Sequence, residues 1–551
     1  GNPIDAVVYF KTHVHHVNAN ERECPICGSV NPEQIFNIIE SKVVDEYGNQ
    51  TKFRKVSPKE WNERFLNERP PLETEESKDP IKGTSKIANK IKQFNVFFIR
   101  DVLSKLANKQ YMMINLLEAP ALAVILAFFV KFFNTENGRQ DYVFYENENI
   151  PQYLFIAVVV ALFLGMTVAA EEIIKDKKIL KRESFLNLSR SSYLLSKIMI
   201  MFIISGIQTA FFVLVGNFTL EIEGLWWQYW LILFSTSCTA NILGLNISSA
   251  FNSAKVIYIT VPLLIIPQLL FSGVIVKFDK LHPIFSNTNE VPWIGNAMAS
   301  RWAYEALAVV QAKENAHEAP IFTLNQQKSS AGWMRDYWLP EMKNQLNILA
   351  DKKSSKADFE RAKKILSTEI NKEMDKWANL SCEDCADRVS KATYGKGNGE
   401  VQSTVGSFLE TVKRVYNNSY NEANAALDKL VADLGDKKVQ ASQNRYLNES
   451  LQDIVTNRTE VQKIIITDDE LLQKDDPLYI DPVGTRFLDA PFYAHKKYFF
   501  GTPIDTFWAN ILVLWSMTLF LIIALYFDWM RKLLEIGERI KIPGLGSKNK
   551  A

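Results

Sequence analysis

Apolar residues in this chain are gathered into a few blocks, separated by long stretches rich in Lys, Glu, Asp and Asn. Six blocks approach the ~20 consecutive apolar residues that a bilayer requires. They cover residues 112–133, 153–170, 198–216, 229–250, 256–276 and 507–527. The fifth is the least regular. It reads VPLLIIPQLLFSGVIVKFDKLHP from Val261, broken by Pro262, Pro267 and Ser272-Gly273. After a polar interlude comes VPWIGNAMASRWAYEALAVVQ, ending at Gln311, an amphipathic aromatic segment carrying Trp293, Arg301 and Glu305 and too polar to span lipid alone. Irregular backbone at membrane depth survives only where protein or a water-filled cavity surrounds it. The pattern therefore predicts a re-entrant piece at a gate or mouth.

The flanking regions read differently. Ala6-Val7-Val8-Tyr9-Phe10 is a strand-like run, and Ile35, Phe36, Ile38 and Ile39 supply the apolar face of a short helix. Residues 41–82 are charged and interrupted by Pro58, Pro70, Pro71 and Pro80, the pattern of a solvated connector. Between Ser85 and Gln110, Ile87, Ile91, Phe94, Phe98 and Leu106 recur at helical spacing among Lys and Arg, predicting a basic amphipathic helix along a membrane surface. Beyond Lys277 the chain is polar and helix-like. One apolar stripe runs through Phe359, Ala362, Leu366, Met374 and Trp377, and another through Val405, Phe408, Leu409, Val412 and Tyr416, as the core faces of a helical domain would.

Orientation follows from basic residues near the spans. Lys175, Lys177, Lys178, Lys181, Arg182 and Arg190 lie between the second and third blocks, and Arg531, Lys532, Arg539 and Lys541 follow the sixth. The first connection instead carries Glu136, Asp141, Glu146 and Glu148. Both termini are thus expected in the cytoplasm and residues 277–505 outside. Trp226, Trp227, Tyr229 and Trp230 fall where an outer aromatic belt belongs.

Composition adds little. At 551 residues the chain has room for several domains of ~150 residues. Its mean hydropathy of -0.08 and net charge of +1 average out the blocks, and the near-neutral balance gives no reason to expect nucleic acid as a partner. A polar start at Gly1 without an apolar leader-like run predicts no signal peptide and a missing upstream part. Cys24 and Cys27 form a CPIC pair near His13, His15 and His16, which either supplies zinc ligands or makes a tight turn before Asn31-Pro32. A zinc centre needs a second pair at matching spacing, so no metal site is assigned. Cys382 and Cys385 form a possible disulfide in the expected external region, and Cys238 lies inside a span. No phosphate-binding loop, Ser-His-Asp arrangement, metalloprotease motif or dinucleotide fingerprint occurs, so catalytic residues are expected to be none. Asn-x-Ser/Thr sites stand at Asn379, Asn417, Asn448 and Asn457.

Three stretches resemble the G-type (White-like) ABC transporters. VNPEQIFNIIE (residues 30–40), after Cys24-Pro25, is similar to the close of that family's nucleotide-binding domain. EEIIKDKKILKRESFLNLSRSSYLLSK (171–197) is similar to its inner loop after the second helix. LLFSGVIVKF (269–278), followed by WIGNAMASRWAYEAL (293–307), is similar to its plug and re-entrant segment. The resemblance touches residues 1–40, 85–311 and the final helix, and leaves the long insert without a counterpart.

The resemblance implies a mainly α fold: a six-helix transmembrane ABC-2-type (type V exporter-like) domain with a large, mostly helical extracytoplasmic insert. Residues 1–40 would be the end of a nucleotide-binding domain, 41–84 a cytoplasmic connector, 85–110 a connecting helix and 111–276 the first five spans. Residues 277–311 would be re-entrant, 312–500 extracytoplasmic, 501–530 the sixth span and 531–551 a basic tail. Lys178, Arg182 and Glu183 would belong to the coupling loop, with Lys178 or Arg182 pairing with Glu183. Phe163, Leu164, Leu269, Leu270 and Phe271 would line a cavity beneath a plug at Val274 and Ile275, where the family usually has larger apolar residues. ATP and magnesium would bind in the missing upstream domain, and two such chains, identical or not, would pair as a dimer. The implied activity is outward movement of an apolar or amphipathic substrate across a plasma membrane, a bacterial inner membrane by the Lys/Asn-rich style. The alternative is an interaction or mechanotransmission protein whose external domain docks a periplasmic or cell-wall partner.

Overall fold

The computed structural model describes residues 3–15, 33–68, 89–133, 141–183, 188–285, 291–376, 382, 385–396, 398–482 and 487–539. The chain divides into two units, Gly1–Lys86 and Ile87–Ala551.

The first unit holds α1 (Pro3–His13), α2 (Glu33–Ile39), the antiparallel hairpin β1 (Lys42–Val44) and β2 (Gln50–Arg54), and α3 (Pro58–Glu68). The strand-like run at residues 6–10 is helical. Val7 and Lys11, one turn apart, are its buried positions, and a short apolar run alone does not separate strand from helix. Phe10 packs on Trp61 of α3 at 5.0 Å, and Tyr9 on Phe65 at 6.4 Å. The expected solvated connector carries a hairpin and a helix of its own. His13 is held by the Tyr9 carbonyl at 2.8 Å and Glu68 at 2.6 Å. Both partners favour its protonated form, in that order, and raise its pKa. His16, Cys24 and Cys27 lie outside the described residues.

The second unit begins with α4 (Lys90–Ala107), capped by Asn89, and α5 (Lys109–Val130), capped by Asn108. The Asn108 side chain accepts from the Tyr111 N–H, so the same residue ends one helix and starts the next. Then come α6 (Ile150–Ala170), α7 (Glu172–Glu183), α8 (Arg190–Leu220), α9 (Trp226–Ala250) and α10 (Ala254–Leu270). Short α11 (Trp293–Asn296) leads into α12 (Ala299–Lys313). The insert follows as α13 (Phe322–Trp333), α14 (Leu339–Ala350), α15 (Lys356–Lys376), α16 (Cys385–Lys391), α17 (Gly399–Leu434), α18 (Asp436–Tyr446) and α19 (Glu449–Val455). Two hairpins, β3 (Ile464–Ile466) with β4 (Leu471–Gln473) and β5 (Lys496–Phe499) with β6 (Thr502–Asp505), lead to α20 (Thr506–Tyr526) and α21 (Trp529–Arg539).

Among the described residues five helices are long and apolar enough to cross a membrane: α5, α6 with its continuation α7, α8, α9 and α20. The fifth expected span, α10, has 17 residues, a rise of ~25 Å against a hydrocarbon core of ~30 Å. Its helix stops at Leu270, six residues before the apolar run does.

Helix α9 is the hub, and small residues let α6 approach it. A methyl group at Gly165 would meet the Ser237 carbonyl and lie 2.8 Å from Ala240 Cβ, and one at Gly244 would lie 2.8 Å from the Met166 carbonyl oxygen. Such close approach is how membrane helices gain packing without a hydrophobic driving force. Polar residues tie α9 to its other neighbours: Ser237 Oγ donates to Ser205 Oγ of α8 (2.9 Å), and Asn246 Nδ2 donates to the Leu521 carbonyl of α20 (3.0 Å).

The amphipathic expectation for α12 is corrected by its surroundings. Every residue from Ala299 to Ala312 is buried, because α6, α9, α19 and α20 enclose it. The insert has a separate core, in which Phe359, Leu366, Val405, Phe408, Leu409, Val412 and Tyr416 all participate, with Met374 packed against it. Trp377 lies outside the described residues.

Candidate functional site

Four arrangements in the second unit carry chemistry. The first is a buried charge node where α4, α7 and α8 meet. Lys197 Nζ lies 2.7 Å from Asp101, 3.1 Å from Glu172 and 3.0 Å from Asp176. Lys105 Nζ takes the other oxygen of Glu172 at 2.5 Å. The Tyr193 hydroxyl donates to Asp176 at 3.0 Å. Of the expected coupling residues, Glu183 pairs with Arg100 of α4 at 3.3 Å, not with Lys178 or Arg182, which are exposed. Helix spacing explains the correction: residues one and five apart on α7 do not face each other well, whereas α4 presents a guanidinium from the side. Ion pairs thus tie α4 to α7 at both Arg100 and Lys105.

The second is the break after α10. Ser272 Oγ donates to the Leu269 carbonyl (2.8 Å) and accepts from the Val274 N–H (3.3 Å), satisfying groups the ended helix leaves free. Gly273 has φ +81° and no room for a side chain, since a methyl there would lie 2.5 Å from the Phe278 ring. A methyl at Gly295 would lie 2.8 Å from the same ring. Phe278 is therefore gripped between two glycines, one on each side of the loop. Gln268 fastens the end of α10 to the start of α12: its Oε1 accepts from the Ser300 N–H (3.0 Å), and its carbonyl accepts from Ser300 Oγ (2.6 Å).

Expected cavity and plug residues divide between two surroundings. Leu164 is buried in the core, while Phe163, the next residue round α6, is 39% exposed. Leu270 and Ile275 are exposed, at 42% and 57%; Val274, Leu269 and Phe271 are half-buried. Leu269, Val274 and Ile275 share one large cavity. Trp293 stands exposed on α11, apart from Arg301 and Glu305.

The third arrangement is a buried triad joining α12, β5 and α20. Glu305 Oε2 lies 2.5 Å from Lys497 Nζ and 3.4 Å from Arg301 Nη1. Asn510 Nδ2 donates to the same oxygen (2.8 Å), and the Tyr493 N–H donates to the other (3.3 Å). Both cations also face Trp302, Arg301 at 3.7 Å and Lys497 at 4.5 Å from the ring centre. Burial alone would raise the Glu305 pKa, but Arg301 and Lys497 hold it below its ordinary value. Burial pushes the Lys497 ammonium down to about 7; Glu305 opposes that and Arg301 adds to it, because one carboxylate cannot compensate two buried cations. The sequence gives no sign of this partner, which lies 192 positions from Glu305.

The fourth is a cavity of about 1450 Å³ between the membrane helices and the insert. Its floor is Pro151, Phe155, Ile156 and Val159 on one face of α6, together with Leu269, Val274 and Ile275. Its walls are Thr323, Gln326, Ser330 and Trp333 along one face of α13, with residues of α15, α19 and β4. Elsewhere in the insert Cys382 and Cys385 are joined as a disulfide. Among the described residues no cluster of His, Cys, Asp and Glu is arranged to hold a metal ion.

Comparison with curated proteins gives no match. Comparison with family models matches residues 92–312 to the ABC-2 type transporter. The matched span opens in α4 and closes one residue before the end of α12, so it contains the charge node, the break and part of the triad, while the insert and α20 lie beyond it. Residues 92–312 are an ABC-2 type transporter membrane domain, carried by an integral membrane protein.

Proposed function

We propose that this chain is the membrane-spanning permease of a G-type-like ABC exporter, working as a dimer with ATP-hydrolysing domains that bind ATP and magnesium. The observation that carries the reading is the fastening of α4 to α7 and α8 through Arg100–Glu183, Lys105–Glu172 and Lys197. A motor acting on this charged side can move the ends of α6 and α8 as one body. At the other end of α6, the floor of the cavity meets Val274 and Ile275, the residues assigned as plug. Outward movement of an apolar or amphipathic molecule then runs past Leu269 and the plug into the cavity. Apolar side chains left exposed on α6 and α10, such as Phe163, Ile259 and Leu263, supply a face for a second copy. In this reading both termini are cytoplasmic, the insert lies outside, and the membrane is a bacterial inner membrane.

The test is reconstitution of the chain with its ATPase domain in liposomes carrying a fluorescently labelled phospholipid. ATP- and magnesium-dependent movement of the label between leaflets is expected, and its absence across several labelled apolar probes would sink the reading. Val274→Ala with Ile275→Ala is expected to raise leak or basal ATPase. Deleting residues 320–490 separates pathway from docking: retained substrate-stimulated ATPase with loss of an external partner would assign the insert to docking.

A further inference from the structure

The cavity above the plug is divided chemically. At the membrane end its surface is mostly apolar: Phe155, Ile156, Val159, Leu269 and Ile275 contribute no polar side-chain atom, and Gln152 and Tyr304 contribute one polar group each. At the insert end, α15 contributes Glu369, Glu373 and Asp375, and the stretch around α19 contributes Asp453 and Glu460. Asp279, Glu470 and Asp481 complete the acidic lining. Against these eight carboxylates stand four lysines, Lys277, Lys372, Lys376 and Lys474.

The pairing leaves the excess in place. Lys372 is shared by Glu369 (2.8 Å) and Glu470 (2.7 Å), and Lys474 by Asp279 (3.2 Å) and Glu460 (3.8 Å). Each lysine thus compensates one carboxylate of two. Burial raises the pKa of Glu373, whose carboxylate accepts from the Tyr416 hydroxyl at 2.6 Å. Asp453 is also paired with Arg458 (3.2 Å) and Asp481 lies 3.4 Å from His495, so with Glu373 neutral and Asp453 compensated, six carboxylates face four lysines. A cleft with low-dielectric walls and one sign of charge concentrates the opposite charge. Trp333 and Trp338 stand beside the acidic wall, and indole faces attract cations as well as apolar chains.

We propose that this chamber binds a cationic amphiphile, an apolar chain ending in an ammonium or guanidinium group. The chain lies on the α6 floor beside the plug and the head lies among the carboxylates of α15 and α19. The inference deepens the export reading and rests on it for the chamber's place in the pathway. It names the substrate class by charge. An amine-headed lipid and a free alkylamine share this chemistry.

The test uses the full chain in nanodiscs of neutral lipid, without nucleotide. Two photoactivatable probes of the same chain length, a dodecylamine and a dodecanoic acid, are crosslinked and the labelled residues mapped by mass spectrometry. The amine is expected to label residues 151–159, 323–338 and 369–376 about tenfold more than the acid, the effect of roughly one well-placed charge. A diacyl amine-headed photoprobe labelling the same peptides assigns the site to lipids, and labelling by the free amine alone assigns it to soluble amphiphiles. Asp375→Asn with Asp453→Asn and Glu460→Gln is expected to cut the preference several-fold while labelling of α6 persists. If the triple variant does not fold, Asp375→Asn alone, at an exposed position, is expected to narrow the ratio. Equal labelling by both probes, or a preference unchanged in the variants, overturns the proposal. Failure of ATP-driven transport leaves this nucleotide-free readout intact, so the two readings fail separately.

Discussion

Lys497 of β5 and Glu305 of α12 meet at 2.5 Å with side chains 1% and 0% exposed, closing a link between α12 and the hairpin that leads into α20. Removing the two partners is not equivalent. Glu305→Gln leaves both Lys497 and Arg301 buried without a counter-charge, and breaking a buried pair this way costs about 3–5 kcal/mol. Lys497→Met leaves the Arg301–Glu305 pair in place and fills the space with a side chain of similar length. The expected order in thermal unfolding of the detergent-solubilised protein is a large loss of Tm for Glu305→Gln and a small one for Lys497→Met. Equal losses would place the energy in packing, not charge.

The same lysine predicts a pH dependence. Its folded pKa of about 7 lies below the ordinary 10.5, so between these values the unfolded chain holds a proton that the folded protein does not. Stability rises with pH wherever the unfolded state binds more protons. Below pH 7 both states are protonated and the cost of burying the charge is felt in full. The wild-type protein should therefore gain stability relative to Lys497→Met as pH rises from 7 towards 10.5, read from paired Tm measurements. A difference that is flat or falls with pH would contradict it.

Gly165 and Gly206 make a matched pair of substitutions. Alanine at Gly165 pushes a methyl into the Ser237 backbone carbonyl of α9, and overpacking of this kind costs about 1–3 kcal/mol. At Gly206 the added methyl would lie 3.5 Å from the Phe234 ring, an ordinary contact, and helix propensity favours Ala over Gly by about 0.5–1 kcal/mol. Gly165→Ala should lower Tm and Gly206→Ala should leave it level or raise it.

At the charge node, Lys197→Met leaves Asp101, Glu172 and Asp176 together with Lys105 as their nearest cation. A loss of about 3–5 kcal/mol is expected. Adding Asp101→Asn, whose carboxylate lies against Lys197, should restore part of it by removing one stranded charge, so the double variant is more stable than the sum of the singles predicts. A double-mutant cycle in denaturant measures that coupling, and strict additivity would mean the node is not a unit.

What the sequence makes legible is what depends on neighbours along the chain. The apolar blocks mark the long helices to within a turn or two, and the stripes from Phe359 and Val405 mark the insert core. Partners far along the chain are another matter. Arg301 and Glu305 read as the polar residues of an amphipathic re-entrant segment because Lys497, Tyr493 and Asn510, which neutralise and bond them, arrive from beyond the insert. Nothing in the sequence singles out Lys197, because its three carboxylates come from α4 and α7. The break at Ser272-Gly273 is visible in one dimension; the grip of Gly273 and Gly295 on Phe278 is visible only in three.

Helix α10 sets a condition on the lipid around it. At ~25 Å it is shorter than the ~30 Å hydrocarbon layer its neighbours cross, while Ile266 keeps the rest of its outward surface apolar. A short span is accommodated by local thinning, at a cost of fractions of a kcal/mol for each Å of mismatch. The protein is therefore expected to act as a gauge of bilayer thickness. Reconstituted in bilayers of graded acyl-chain length, it should be most stable in the thinner ones, and α10 should be the helix whose hydrogen exchange changes most across the series.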